Sequence, residues 1–470
     1  MSVAAGPAEA PDPGDRPLAL VLVRNAVTHD NRVLREVQTL TGCGYRVLVA
    51  GVVSTAEPRP RARVGGAEVI RLDPRAGWPL RRARPVPSGG AAEGGAAGGA
   101  ADGAAGGAAG GAADGAVGTG EAVAGAPATP RRGAAAVVTG RLRRLAVTAG
   151  YYRRAIGLCR ATAPVLVHAN DYNTMWIAVA AKLLCSSRVV YDCHELWADR
   201  NGRPEWRMWL VACEALFVRA ADVTITASPG YAAAMARRYR VPAPAVVRNI
   251  PATALGAVPM VAATPAGPLG GDAGLALYVG GLMPGRGLEE GMRALALAPG
   301  LRMRLVGPGG DGYRAALHRL AGELGIAGRL EISAPVAPGD VVTAIAGADL
   351  GLMLIQPVCR SYELTLPNKL FEYAAAGLPI LASDLPVIGP IVRDEGLGAV
   401  VSPRDPAAIA AAMESLAAPE RNRDTRARVR AFAAANPWEG ERAGLAAAYG
   451  RAGAAGATAH PPHRHHDARC

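Results

Sequence analysis

Aromatic side chains make up only 4% of this 470-residue sequence, so its cores must be built from Ala, Val, Leu and Ile. Lysine is nearly absent: Lys182 and Lys369 stand alone, and arginine supplies the rest of the 51 basic residues. An exposed arginine therefore carries little information by itself. The seven cysteines (Cys43, Cys159, Cys185, Cys193, Cys213, Cys359 and Cys470) are odd in number and scattered, with no CxxC spacing. That excludes a small disulfide scaffold and fits reduced thiols in a cytoplasmic protein. No stretch of 18 residues stays apolar without polar or breaker interruption, so no transmembrane helix is expected. The opening MSVAAGPAEAPDPGDRP has neither a basic start nor an apolar run, so no secretory signal is expected.

Core material is nevertheless ample, since half of the residues are hydrophobic, and the length suits two or three domains. The 59 glycines and 37 prolines exceed ordinary usage, and part of the excess lies in a Gly/Ala-rich segment at about 88–129. Such a segment buries too little side chain to offset chain entropy. It reads as a disordered insertion inside a first domain, because strand and helix signals resume after it. Residues 18–23, 31–40 and 45–49 read as strand, helix and strand, a βαβ unit that predicts a parallel sheet. The alternation continues through strands at 164–168, 188–191, 223–226 and 245–247. It returns in the second half with strands at 275–279, 302–306, 330–332, 350–354, 380–382 and 399–401, and with helices between them, including 338–345.

The organisation expected is a disordered leader at 1–16, a Rossmann-like domain at 17–250 and a linker at 251–272. A second Rossmann-like domain at 273–425, C-terminal helices at 426–450 and a disordered tail at 451–470 complete it. The fold class is α/β, with two parallel-sheet domains facing across a cleft. Ligands in such sheets bind at the carboxyl ends of strands.

The net charge of +12 is unevenly placed. From residue 122 to 170 there is no Asp or Glu, while Arg131, Arg132, Arg141, Arg143, Arg144, Arg153, Arg154 and Arg160 alternate with apolar residues. A helix of that kind can lie on an anionic membrane surface, and a solvated face is the plain alternative. No recognition module accompanies the charge, so nucleic acid is not an expected partner.

Several short motifs sit where α/β sites form. Gly280-Gly281-Leu282-Met283-Pro284-Gly285-Arg286-Gly287 follows a strand and precedes a helix. Its glycines would let backbone approach a phosphate, and Arg286 would add a charge-assisted donor. It matches neither a P-loop nor a dinucleotide fingerprint. Gly307-Pro308-Gly309-Gly310 ends a further strand and could line the same phosphate or ribose. Leu366-Pro367-Asn368-Lys369-Leu370-Phe371-Glu372-Tyr373 enters a helix, with Pro367 and Asn368 as natural start residues and Asn368 expected as a cap. Lys369 and Glu372 share a helix face, as an ion pair or as a phosphate donor and a hydroxyl acceptor. In the first half, His194 follows a strand within Val190-Tyr191-Asp192-Cys193-His194-Glu195-Leu196. As a neutral ring it could donate to a sugar hydroxyl, oriented by Asp192 or Glu195. His168-Ala169-Asn170-Asp171 and His29-Asp30-Asn31-Arg32 occupy similar positions, with turn and cap duty as the alternative. No close His/Cys/Asp set suggests a metal.

Together these residues resemble a retaining glycosyltransferase of the GT-B fold, in the large family 4 that includes sucrose synthases and many mannosyl- and N-acetylglucosaminyltransferases. The resemblance spans about residues 17–450 apart from the insertion. YVGGLMPGRG resembles the family's donor-diphosphate loop, and LPNKLFEYAAAGLPILAS its donor-gripping helix. RVLREVQTLTGCGYRVLVA and VVYDCHELW resemble the acceptor side with its histidine loop, and NPWEGERAGLAAAYG the returning C-terminal helix. The resemblance implies transfer of a sugar from a nucleotide diphosphate, UDP- or GDP-linked, to an acceptor hydroxyl on a glycan, lipid or small molecule. It implies retained configuration and no obligatory metal. Arg286 and Lys369 would neutralise the diphosphate, Glu372 would hold the donor ribose, and His194 would contact the transferred sugar. Gly280, Gly281, Gly307, Glu363, Leu366, Pro367 and Asn368 would line the donor. His29, Asp30, Arg32, Asn170, Asp171 and Glu195 are the acceptor-side candidates. Two positions depart from the family pattern. Gly281 stands where Arg is frequent, and Leu364 where Glu is frequent, with Glu363 one residue away; Glu363 or backbone N–H groups would then meet the sugar's 3-hydroxyl. A nucleotide-sugar 2-epimerase of the same fold and a non-catalytic nucleotide-sugar scaffold are the competing readings. The implied location is cytoplasmic, with peripheral contact at the inner membrane face through 131–160.

Overall fold

The computed structural model describes residues 16–28, 30–54, 57–74, 134–201, 205–251 and 273–457. The Gly/Ala-rich insertion, nearly all of the leader and the linker, His29 and the end of the tail lie outside the described residues.

Two sheets form, one in each half. The first has eight strands in the spatial order Arg61–Val64, Ala67–Leu72, Arg46–Val52, Leu18–Leu22, Leu166–Asn170, Arg188–Cys193, Val223–Thr226 and Ala245–Val246. All its pairings are parallel except the outer hairpin. That hairpin departs from the purely parallel sheet that the βαβ pattern predicts. Gly65 and Gly66 both take positive φ (59° and 87°), as a two-residue turn joining right-twisted strands requires. The second sheet is parallel throughout, in the order Leu330–Ser333, Leu301–Val306, Gly274–Val279, Leu350–Met353, Ile380–Ser383 and Gly398–Val401. Both are doubly wound sheets whose central strands are buried on both faces, which is why they read as continuous apolar runs.

Helices cover each face. Ala134–Thr162, Asp171–Cys185, Arg207–Ala220 and Pro229–Tyr239 share one core with the first sheet, around Tyr151, Met175, Phe217 and Met235. Asn31–Gly42 packs on the other face through Val33, Val37 and Leu40, and there meets Trp438, Leu445, Ala448 and Tyr449 of the last helix. That helix, Trp438–Ala457, runs seven residues past the expected start of the tail at 451. It is tied down by Arg248, whose side chain and backbone N–H both donate to Glu441, and by Arg35, whose guanidinium lies 4.9 Å over the Trp438 ring. A second departure is the helix expected at 338–345, which begins only at Val341, because Pro338-Gly339 resists helical backbone.

The two lobes touch where helix Pro229–Tyr239 starts. Ser228 Oγ donates to the Leu364 carbonyl at 2.6 Å, and Tyr231 Oη donates to the Ser361 carbonyl at 2.8 Å. Leu364 is buried in the first lobe's core, although its strand and helix belong to the second lobe. Gly230 makes this possible, since a Cβ there would stand 2.6 Å from Val387 Cγ2 and 3.0 Å from the Leu364 carbonyl oxygen. Gly230→Val is therefore expected to wedge the lobes apart, lowering stability by about 1–3 kcal/mol through overpacking. Urea denaturation and the radius of gyration from small-angle scattering check it. An unchanged value of both would remove Leu364 as the interlobe plug.

Candidate functional site

The second lobe brings its motifs together at the carboxyl ends of Gly274–Val279 and Leu301–Val306. The two glycine turns run side by side: Gly280 N–H donates to the Val306 carbonyl at 2.8 Å and Leu282 N–H to the Pro308 carbonyl at 2.7 Å. Gly307 has φ 150°, and a Cβ there would overlap the Gly280 carbonyl oxygen, so a side chain would force the turns apart. Helix Leu288–Leu297 starts from Gly287, also at positive φ.

Lys369 enters this space from helix Asn368–Ala375. Its ammonium lies 4.9 Å from the centroid of the Tyr278 ring, and a Cβ on Gly280 would stand 2.6 Å from Nζ. Tyr278 is held by its hydroxyl, which donates to the Gly281 carbonyl. Arg286 stacks over Tyr362 at 4.6 Å. Burial and the nearby Arg286 charge lower the Lys369 ammonium to about 8, against a smaller opposing pull from Glu372. An ammonium disfavoured by burial and by a neighbouring arginine, in a glycine-lined space, makes a site for an anion. Glu372 lies one turn along the same helix. Burial raises its carboxyl, while Lys369 and Arg35 of the first lobe act against that. Arg35 in turn is lowered to about 10 by burial and by Arg32, with Glu372 opposing. Arg35 is thus a first-lobe charge that acts on the donor-side carboxylate, and sequence reasoning missed it.

Other donor-side candidates stand differently from expectation. Asn368 is exposed, and its side chain makes no capping hydrogen bond; Pro367 occupies the cap position. Cap duty for Asn368 is corrected accordingly. Leu366 is buried in the second lobe's core. Glu363 is paired with Arg360 at 2.7 Å. A Cβ on Gly281 would meet Met283 Cε at 3.0 Å, so a side chain at the place where an arginine is frequent needs the end of Met283 to move.

On the acceptor side, His194 follows strand Arg188–Cys193 and faces two carboxylates. Its Nδ1 is 3.7 Å from Asp171 and its Nε2 3.5 Å from Asp192. Burial opposes charge on the ring, but Asp171 and Asp192 outweigh it and raise His194 to about 9. The two carboxylates thus favour the protonated ring over the neutral imidazole expected from sequence. Asp171 adopts φ 64°, a left-handed backbone that aspartate tolerates better than most residues, at the turn from strand into helix. Of the two candidate orienters, Asp192 is in place, whereas Glu195 is paired with Arg200 at 2.7 Å. Asp30 serves as the helix cap, accepting from the N–H groups of Arg32 and Val33. Arg32 and Asn170 are buried, with 8% and 2% exposure, and their side chains bond to Asp192 and Glu36.

Inside the lobe these residues build a charged network. Arg32 Nε and Nη2 donate to the two oxygens of Asp192 at 2.7 and 2.8 Å, and Nη1 donates to the Val247 carbonyl and Asn249 Oδ1. Asn170 donates to Glu36 at 2.9 Å. Glu36, His168 and Asp192, all buried, bring ligand atoms within 4.8 Å of one another. The close His/Asp/Glu set that the sequence did not reveal therefore exists. Its cation is Arg32, already bidentate on Asp192 and 3.7 Å from Glu36. His168 is raised to about 9: burial opposes its charge, and Glu36 and Asp192 prevail. With His194 and Asp171 the network balances three cations against three carboxylates.

Comparison with known proteins agrees with this architecture. Residues 274–418 match the family model for glycosyl transferases group 1, and residues 91–250 match the glycosyl transferase 4-like domain. The D-inositol 3-phosphate glycosyltransferase of Mycobacterium tuberculosis (strain H37Rv) is 32% identical over 188 residues, which is 38% of this chain and 38% of that protein. The matched region thus spans well under half the length of that relative. Among solved structures, the sucrose-phosphate synthase of Thermosynechococcus elongatus superposes with a TM-score of 0.65 at 17% identity, over 94% of this chain and all of that one. Anabaena HepE in complex with UDP-glucose gives 0.60 at 13% identity, over 92% and 99%. At such identities the structural likeness establishes the fold.

Proposed function

We propose, for a chain that belongs to the GT-B-fold glycosyltransferases related to family 4, the transfer of a sugar from a nucleotide diphosphate to an acceptor hydroxyl with retained anomeric configuration. The observation that carries this reading is the convergence of Lys369 and Arg286 on paired glycine turns. The donor diphosphate would lie there, its charge met by Lys369, Arg286 and backbone N–H groups, which supply electrostatically what a divalent cation supplies elsewhere. Glu372 would accept from the donor ribose. His194, a cation facing the cleft, would donate to a hydroxyl of the transferred sugar. As the bond from the anomeric carbon to the phosphate oxygen breaks, the acceptor oxygen bonds to that carbon on the same face, and the acceptor proton passes to the leaving phosphate. No side chain need act as nucleophile. The UDP-glucose bound by HepE makes UDP-sugars the first donors to test.

A thermal-shift screen over UDP-, GDP-, ADP- and TDP-sugars tests the reading. One donor class is expected to raise the midpoint by linkage, and at 100 times Kd the gain is about 2.7 kcal/mol. A flat response to all four overturns it. Labelled donor incubated alone should release sugar only slowly; a changed sugar would mark an epimerase instead.

We also infer that the enzyme works in the cytoplasm against an anionic lipid surface. Among the described residues no helix is long and apolar enough to cross a membrane. The layer formed by Ala134–Thr162, Asp171–Cys185 and Arg207–Ala220 carries Arg153 and Arg160 at its surface. It also carries Trp206, Met208 and Trp209, with 73%, 61% and 57% exposure. Exposed tryptophan and arginine suit the headgroup region. Flotation with phosphatidylserine vesicles is expected to carry the protein upward, and Arg153→Glu with Trp206→Ser and Trp209→Ser to leave it at the bottom. Equal flotation of both would remove the idea.

A further inference from the structure

Asp192 Oδ2 is approached by a guanidinium and two imidazoles at once. Arg32 Nε takes it at 2.7 Å. His194 Nε2 stands off at 3.5 Å, and His168 Nε2 lies between Asp192 Oδ2 at 3.6 Å and Glu36 Oε1 at 3.4 Å; neither ring nitrogen makes a hydrogen bond. The His194 imidazole is 24% exposed; that of His168 has no solvent exposure. The buried ring is fixed from behind, because its Nδ1 is 3.1 Å from the hydroxyl of Tyr449 on the returning C-terminal helix, whose ring also packs edge-on against it.

We propose that His168 is a positioning residue for His194: held by the Tyr449 hydroxyl, it competes with His194 for one carboxylate oxygen and so sets where the cleft imidazole stands. The catalytic role given to His194 is that of the function proposed above, and this inference rests on it. A carboxylate oxygen already donated to by Arg32 has limited capacity for further short bonds. While His168 remains near Asp192, His194 is held between Asp192 and Asp171 and is committed to neither. The charges around the pair are Arg32 and Glu36 from helix Asn31–Gly42, Asp171 from the strand-to-helix turn, Asp192 from its strand, and Tyr449 with Cys43 beyond it. Removing the His168 cation takes away a like charge and frees Asp192 and Glu36. The proton on His194 is then held more firmly, and the ring moves toward Asp192. The arrangement also links the C-terminal helix to the cleft: Tyr449 touches His168, His168 faces Asp192, and Asp192 faces His194.

The test is the proton-NMR titration of His194 in the full chain, assigned by its loss in His194→Gln. His168→Gln is expected to raise its midpoint by about one pH unit, and Tyr449→Phe to raise it in the same direction by less. The pH profile of sugar transfer should shift with it, with kcat changed more than donor KM, because the diphosphate and ribose are bound by the other lobe. If both variants lower the melting temperature and leave the His194 midpoint in place, His168 and Tyr449 are packing residues and the proposal fails. Should His168→Gln not fold, Tyr449→Phe decides alone. The titration needs no substrate, so it stands or falls separately from the transferase reading, which the donor screen tests.

Discussion

Lys369→Met is expected to lower kcat/KM by about 100- to 1000-fold while leaving the unliganded protein at least as stable as the parent. The loss is the size seen when one preorganised donor to a developing anion is removed. The retained stability follows from the site's electrostatics. The Lys369 ammonium is buried against Arg286, and both effects push it down to about 8 from an ordinary value near 10.5. Between those two values the unfolded chain binds more protons at this lysine than the folded one does. Its contribution to stability therefore rises as pH climbs from about 8 toward 10.5. At neutral pH the charged lysine is a cost to the fold, and methionine removes it, while Glu372 keeps Arg35 as a neighbour of opposite charge. Stability spent on a binding site is recovered when the site is lost. Donor binding has the opposite sign. A diphosphate beside Lys369 favours the ammonium, so above pH 8 binding should take up a proton, visible by calorimetry in two buffers of different ionisation heat. Lys369→Arg is not expected to rescue, because a planar fork does not fit the space between Gly280 and the Tyr278 ring. A Lys369→Met protein with near-parental turnover would sink the assignment of the phosphate site.

Much of this arrangement is legible in the residues. The buried strands of both sheets read directly from apolar runs, and the glycine turns and the LPNKLFEY helix stand out because their residue types are awkward elsewhere. The Gly65-Gly66 hairpin is legible too, since a glycine pair between RARV and AEVI is a strong turn signal, but parallel-sheet reasoning does not look for it. The inner network is not legible. Arg32, Glu36, His168, Asp192 and Tyr449 span more than 400 positions of sequence, and only the return of the last helix onto the first sheet brings Tyr449 to His168. Nor can local spacing show that Leu364 faces away from the donor pocket. That depends on Gly230, which belongs to the other lobe.

Asp192→Asn is the substitution expected to cost the fold most, about 3–5 kcal/mol, because it breaks a buried pair by removing one partner. Arg32 would keep its bonds to Val247 and Asn249 but lose a bidentate carboxylate, with Glu36 left as the nearest negative group. Urea unfolding at pH 7 measures the loss. The pH dependence identifies its source. Asp192 lies far below its ordinary value: burial opposes its charge, and Arg32, His194 and His168 more than offset that. Its stabilisation is present above the ordinary carboxylate range and disappears as pH falls through the lowered value. His168 is raised to about 9. Its contribution is full below about 6.5 and fades as pH rises through 9. In Asp192→Asn the acid-side dependence from this residue should vanish. The alkaline loss should move to lower pH, since His168 retains only Glu36. A second variant separates pairing from packing. Arg32→Met combined with Asp192→Leu replaces both partners by apolar groups of similar bulk, and such exchanges are often neutral. If the double variant regains stability but transfers sugar poorly, the buried charges hold His194 in place at little net benefit to the fold. If it remains as unstable as Asp192→Asn, the network is a structural necessity, and its contact with the cleft histidine is incidental.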